Sequence, residues 1–125
     1  DYHVRLNVAL NPSTPEYILE FLSNDKSVSV RSSAAKNPRI PVSILDKLSN
    51  DEDWYTRKYV AGNPNTPAYV LEKLSNDENV SVRISVAQNP KITESILDKL
   101  SNDKNENIRY WVARNPNWSN NKLWN

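Results

Sequence analysis

The sequence predicts an all-α chain, a solenoid of two-helix repeats of about 26 residues, and three observations predict it. Asn-Pro recurs at Asn11-Pro12, Asn37-Pro38, Asn63-Pro64, Asn89-Pro90 and Asn115-Pro116, and every step is 26 residues. The same step links Arg5, Arg31, Arg57, Arg83 and Arg109, the alanines Ala9, Ala35, Ala61, Ala87 and Ala113, and Leu22, Leu48, Leu74 and Leu100, each opening Leu-Ser-Asn-Asp. A single Gly among 125 residues argues against a turn-rich β architecture and excludes Gly-rich phosphate loops. A fixed, uninterrupted period in this range marks an array whose units bury their apolar sides against their neighbours.

The register divides the chain into a half repeat 1–12, full repeats 13–38, 39–64, 65–90 and 91–116, and a partial terminal repeat 117–125. Each period reads as two short helices. Helix A follows "TPEYILEFLS", with Thr14 suited to the N-cap and Pro15 to the first helical position. Its apolar stripe is Ile18, Leu19 and Leu22, repeated at Ile44/Leu45/Leu48, Val70/Leu71/Leu74 and Ile96/Leu97/Leu100. Asn24-Asp25 and the polar residues after them form a turn. Helix B is "SVRSSAAKN": Ser29 is placed to cap it, Val30, Ala34 and Ala35 face inward, and Pro38 stops it. Helices this short are unstable alone, so packing between repeats must hold them. A finer alternation, Tyr17/Ser43/Tyr69/Ser95 and Glu20/Asp46/Glu72/Asp98, points to a duplicated pair of units of 52 residues.

The stretch "SVRISVAQNPKITESILDKLSND" resembles the leucine-rich repeat variant family, whose unit reads roughly Val-Arg-x-x-Val-Ala-x-Asn-Pro-x-Thr-Pro-x-x-Leu-Leu-x-x-Leu-Ala-x-Asp. The likeness covers nearly the whole chain. It implies a right-handed superhelix of alternating short helices, one of them often 3₁₀. The unit here has 26 residues against about 24 in the family, which suits a longer turn after the Asp. The iron–sulfur cluster of some members needs a Cys cluster, and this chain has no Cys. A weaker likeness to HEAT repeats implies that helix B lines the concave face and helix A the convex one.

Without Cys there are no disulfides, thiolate catalysis or zinc-thiolate sites. The compartment is therefore unreadable from redox chemistry. No signal or transmembrane segment is legible, which favours a soluble and, slightly, a cytoplasmic chain. His3 is the only histidine and has no repeat equivalent, so no metal site, cofactor or catalytic set is expected. The serines Ser23, Ser49, Ser75 and Ser101 lack a base at usable spacing and read as helix-end residues. Enzyme activity is not expected.

Asp25, Asp51, Asp77 and Asp103 each stand six residues before Arg31, Arg57, Arg83 and Arg109. Because the pattern is copied in each repeat, it reads as a structural ladder, with Arg5 included, in which guanidinium groups bind carboxylates and turn carbonyls between adjacent repeats. Function is sought where the copies disagree. On helix B the two residues after the repeated Arg, and the fifth, are expected to point away from the Val/Ala stripe. They read Leu6/Asn7/Leu10, Ser32/Ser33/Lys36, Lys58/Tyr59/Gly62, Ile84/Ser85/Gln88 and Tyr110/Trp111/Arg114.

Charge is also partitioned. Net charge is only +1, yet segments 3–13, 29–39, 55–65, 81–91 and 107–117 hold ten basic residues and no Asp or Glu. Setting the ladder arginines aside leaves Lys36, Arg39, Lys58, Lys91 and Arg114, interleaved with Tyr59, Tyr110 and Trp111. These eight are the candidate partner-binding residues, with Arg39 and Lys91 at the rim. They fit a protein or peptide partner, acidic in character, with a nucleic-acid phosphate backbone as the alternative. In the terminal unit Trp118, Lys122 and Trp124 break the pattern, as a capping unit would. At the other end the chain opens with helix B and lacks its helix A, so further repeats upstream are expected in the parent protein.

Overall fold

The computed structural model describes residues 1–118, and the expectations for Lys122 and Trp124 lie outside them. Among the described residues the chain is all-α: α1 (Tyr2–Leu10), α2 (Glu16–Leu22), α3 (Val28–Lys36), α4 (Val42–Leu48), α5 (Trp54–Gly62), α6 (Ala68–Leu74), α7 (Val80–Gln88), α8 (Glu94–Leu100) and α9 (Glu106–Ala113). The odd-numbered helices are the B helices and the even-numbered ones the A helices. All are α-helical, and bonds to the residue three back occur at their ends, as in Ile18 N–H to Pro15 O and Asp25 N–H to Leu22 O.

Each element starts where the chain can satisfy its free amides. The N-cap of α3 lies two residues before the serine expected to supply it: it is Ser27, so Ser29 lies inside the first turn. The equivalent positions hold Asp1, Asp53, Asn79 and Asn105, and each of those four side chains accepts a hydrogen bond from a first-turn amide. The A helices also shift. Pro15 is the N-cap of α2, not its first residue, and Thr14 does not cap it. The Thr14 hydroxyl instead donates to Val8 O at 2.6 Å, and Thr66 to Val60 O at 2.6 Å, serving carbonyls at the end of the preceding B helix. Where Thr93 replaces the proline, its side chain does cap, accepting from Ile96 N. At the other ends, Asn37, Asn63 and Asn89 take extended backbone conformations as the prolines behind them demand.

The B helices pack in sequence order, α1 on α3, α3 on α5, α5 on α7 and α7 on α9, while α2, α4 and α6 each pack on both adjoining B helices and α8 packs on α9. Ala9, Ala35, Ala61 and Ala87 lie buried along this row, where small side chains let the helices approach. Leu19, Leu45, Leu71 and Leu97, together with Leu22, Leu48, Leu74 and Leu100, close the core from the A side. A helix flanked on both sides has three covered faces. For that reason Ser32 and Ser33, expected to point outward, are only 2% and 4% exposed, and Ser85 is buried too.

One core position is out of keeping with its copies. Val30, Val82 and Ile108 are fully buried, and so is Thr56 in the same column, whose hydroxyl has no hydrogen-bond partner among the described residues. A buried hydroxyl without a partner loses its hydration uncompensated. Thr56→Val should therefore stabilise the fold by about 1 kcal/mol, raising Tm by about 4 °C in thermal melts. An unchanged or lower Tm would show that the site is not set up as described.

Candidate functional site: the exposed face of the B helices

An arginine ladder ties α1, α3, α5 and α7 each to the turn that leads into the next B helix. Arg31 Nε donates to Asp51 Oδ2 at 2.8 Å and its Nη2 to Oδ1 at 3.3 Å, so the carboxylate gripped lies 20 residues ahead, in the next repeat. Arg5–Asp25, Arg57–Asp77 and Arg83–Asp103 repeat this at 2.8, 2.7 and 2.8 Å. For Arg31, Arg57, Arg83 and Arg109 the Asp six residues before contributes its carbonyl instead, as in Arg31 Nη1 to Asp25 O at 2.8 Å. The carboxylate also receives a backbone amide two residues on, Asp53 N–H for Asp51. Arg109, at the last B helix, is exposed and donates to Asp103 O at 2.6 Å. The Asp51 carboxylate beside it holds the Arg31 guanidinium above its ordinary pKa, and burial offsets only part of that.

A second ladder was not anticipated. Asn37 Nδ2 donates to Ala9 O at 2.7 Å and Asn11 O at 2.9 Å; Asn63 and Asn89 make the same bonds to Ala35 and Ala61 at 2.7 and 2.6 Å. The Asn of Asn-Pro thus caps the B helix of the preceding repeat. Its own Oδ1 accepts the amide two residues on, as in Arg39 N–H to Asn37 at 2.8 Å. The 26-residue recurrence carried this signal, but the stop function of the proline was enough to explain it locally.

The candidate binding residues fall into two groups. Lys36 from α3 and Lys58 from α5 converge on the Tyr59 ring, with their Nζ atoms 4.3 and 5.6 Å from its centroid. Tyr59 is half-buried and packs against the core. A row of aromatics extends from it: Trp54 meets Tyr55, and Tyr55 meets Tyr59, edge-to-face at 5.8 and 5.0 Å. The hydrogen bond between the Tyr55 and Tyr59 hydroxyls raises the Tyr55 pKa. Trp54 and Tyr55 escaped the sequence reading, although α5 is visibly the odd helix: α3 and α7 are identical at six of nine positions, whereas α5 shares only Arg57 and Ala61 with α3.

The second group is on α9, where Tyr110 and Trp111 stand edge-to-face at 5.6 Å and are 53% and 38% exposed. Arg114 lies over the Tyr110 ring at 5.2 Å. Helix α9 also includes Glu106, so this B helix is not free of acids over its full length. Arg39 and Lys91 are exposed beyond the prolines and join neither group. Trp118 is half-buried, donating from Nε1 to Asp98 Oδ1 at 2.8 Å and packing on the core.

Among the described residues no cluster of His, Cys, Asp or Glu is arranged to hold a metal ion, and no helix is long and apolar enough to cross a membrane. Comparison with protein-family models, curated proteins and solved structures returns no match.

Proposed function

We propose that this chain is a right-handed superhelical solenoid of the leucine-rich repeat variant kind, serving without enzymatic activity as a binding or scaffold module. Its partner is a protein or peptide lying along the B-helix face, taken as the concave one. The observation that carries this reading is the Tyr110–Trp111–Arg114 cluster, large exposed aromatics beside a cation on α9, which buries Ile108 and Val112 against α7 and α8. Tyr, Trp and Arg are enriched among interface hot spots; the two aromatics bury much area at little entropic cost, and Arg adds charge-assisted hydrogen bonds.

A peptide-display screen with purified protein tests it. Peptides enriched by the wild type should bind the Tyr110→Ala/Trp111→Ala variant about 30-fold more weakly, the size of a hot-spot loss. Equal affinity for both proteins overturns the reading. The rival occupant of this face is a phosphate backbone, favoured by the acid-free segments around Lys36, Lys58, Lys91 and Arg114. A steep fall of oligonucleotide affinity with salt would support it, since each phosphate contact releases a counterion.

A further inference from the structure

Gly62 is the only glycine in the chain, and neither backbone nor packing requires one there. Its φ is not positive, and a Cβ at that point would meet nothing within 4 Å. The same column carries Leu10, Lys36, Gln88 and Arg114 in the other repeats, so the fold accepts long side chains. What the glycine does is leave open the space in front of Tyr59. A concavity of about 240 Å³ lies there, lined by Lys36, Lys58, Tyr59, Gly62, Asn63 and Ser85.

Two ammonium groups face this space within 6 Å of one ring centroid, and among the described residues neither makes an ion pair. Both ammonium groups therefore border one aromatic side chain with no described carboxylate to neutralise them, a charge excess that an anion entering the notch would offset. We propose that the notch seats a single carboxylate, the Glu or Asp side chain of an acidic peptide crossing α3, α5 and α7. The carboxylate sits between Lys36 and Lys58, and its methylene carbons rest on the Tyr59 ring. The inference rests on the peptide-binding reading of this face and specifies its chemistry.

Peptide is favoured over nucleic acid by the spacing of charge. A phosphate backbone needs a continuous basic track. Adjoining α7 brings no cation to this face, with Gln88 exposed, Ile84 half-buried and Ser85 buried, and the next concavity, lined by Gln88, Trp111 and Arg114, brings one cation beside an aromatic. Neighbouring helices lie about 9 Å apart and an extended chain advances about 3.3 Å per residue, so about six residues join the Tyr59 notch to Trp111.

The probes are fluorescein-labelled deca-glutamate, deca-glutamine and deca-thymidylate, titrated by anisotropy against wild type, Lys36→Gln, Lys58→Gln, Gly62→Gln and Gly62→Glu. Deca-glutamate should bind wild type in preference to both other probes, and each lysine variant should weaken it about tenfold. Gly62→Gln places in the notch the side chain that α7 already carries, and should weaken binding less than Gly62→Glu, which supplies its own carboxylate. Unchanged circular dichroism and Tm would show that both Gly62 variants fold. The inference fails if wild type does not bind deca-glutamate, if Gly62→Glu and Gly62→Gln bind alike, or if deca-thymidylate binds more tightly with the same lysine dependence. If the Gly62 and lysine variants leave peptide binding intact while Tyr110→Ala/Trp111→Ala abolishes it, the notch falls and the face survives.

Discussion

Arg83→Ala should destabilise the fold by about 3 kcal/mol, lowering Tm by about 10 °C, because it opens the most buried rung of the arginine ladder. Arg83 and Asp103 are 7% and 9% exposed in their side chains. Removing the guanidinium takes two N–H bonds from the Asp103 carboxylate and one from each of the Asp77 and Glu78 carbonyls. A carboxylate left in that setting keeps only the Asn105 amide. Arg83→Lys should recover less than half of the loss, since one ammonium cannot span a carboxylate and two carbonyls. Arg109→Ala is the comparison: its side chain is exposed, and it should cost about 0.5 kcal/mol. Equal losses at Arg83 and Arg109, read from thermal or denaturant melts, would refute the ladder as a stabilising device.

The same rung sets an acid limit. Burial pushes the Asp103 carboxyl up, but the Arg83 hydrogen bond, the Asn105 amide and the charges of Arg83 and Lys104 together outweigh it and hold the pKa below its ordinary 3.8. Asp25 is lowered likewise: burial raises it, while the Ser27 amide and Arg5 bring it down further. A folded pKa below the unfolded one means that the stabilisation is complete above the unfolded value and is lost as pH falls through the folded one. Wild-type Tm should therefore hold near neutrality and drop below about pH 4, and Arg83→Ala should show a shallower acid dependence. A steeper one would contradict the pairing.

Asn63→Ala should be comparably damaging, at about 3 kcal/mol. Asn63 is 3% exposed, and its Nδ2 serves Ala35 O, which no intrahelical amide reaches at the end of α3, and Asn37 O, which also accepts the Ile40 amide. Its Oδ1 also receives the Asn65 amide. Asn63→Asp keeps the shape but turns an acceptor toward the Ala35 carbonyl, so its melt should fall at least as far. Asn11, in the same motif, is exposed and its side chain accepts only the local Ser13 amide at 2.8 Å; Asn11→Ala should cost about 1 kcal/mol. Similar losses at Asn11 and Asn63 would show that the motif acts within its own turn and does not bridge repeats.

These contrasts mark where sequence was sufficient. The period, the helix type and the apolar stripes were legible because a repeated unit states its packing demands several times. Ile44, Leu45 and Leu48 are buried as their spacing requires. Helix starts were less legible, because Ser27 and Ser29, or Thr14 and Pro15, are all acceptable near an N-terminus. Which residue caps depends on whether a side chain has a better partner elsewhere, and Thr14 finds one in Val8 O. The candidate site was legible in part. Lys36, Lys58 and Tyr59 stand out as disagreements between copies, but nothing in the sequence places two ammonium groups against one ring.

By itself the sequence determined an all-α chain with its apolar columns and its separation of acids from the B-helix segments, because those depend on local periodicity alone. Tertiary structure alone decided which of two possible carboxylates each arginine takes. It turned the Asn of Asn-Pro from a helix stop into a cap for the preceding repeat, and it buried Ser32 and Ser33 while leaving Gly62 open. The physical reason is common to all of these. Each is a contact 20 or more residues along the chain, or the space left by one, and its partner is fixed by how the B helices stack.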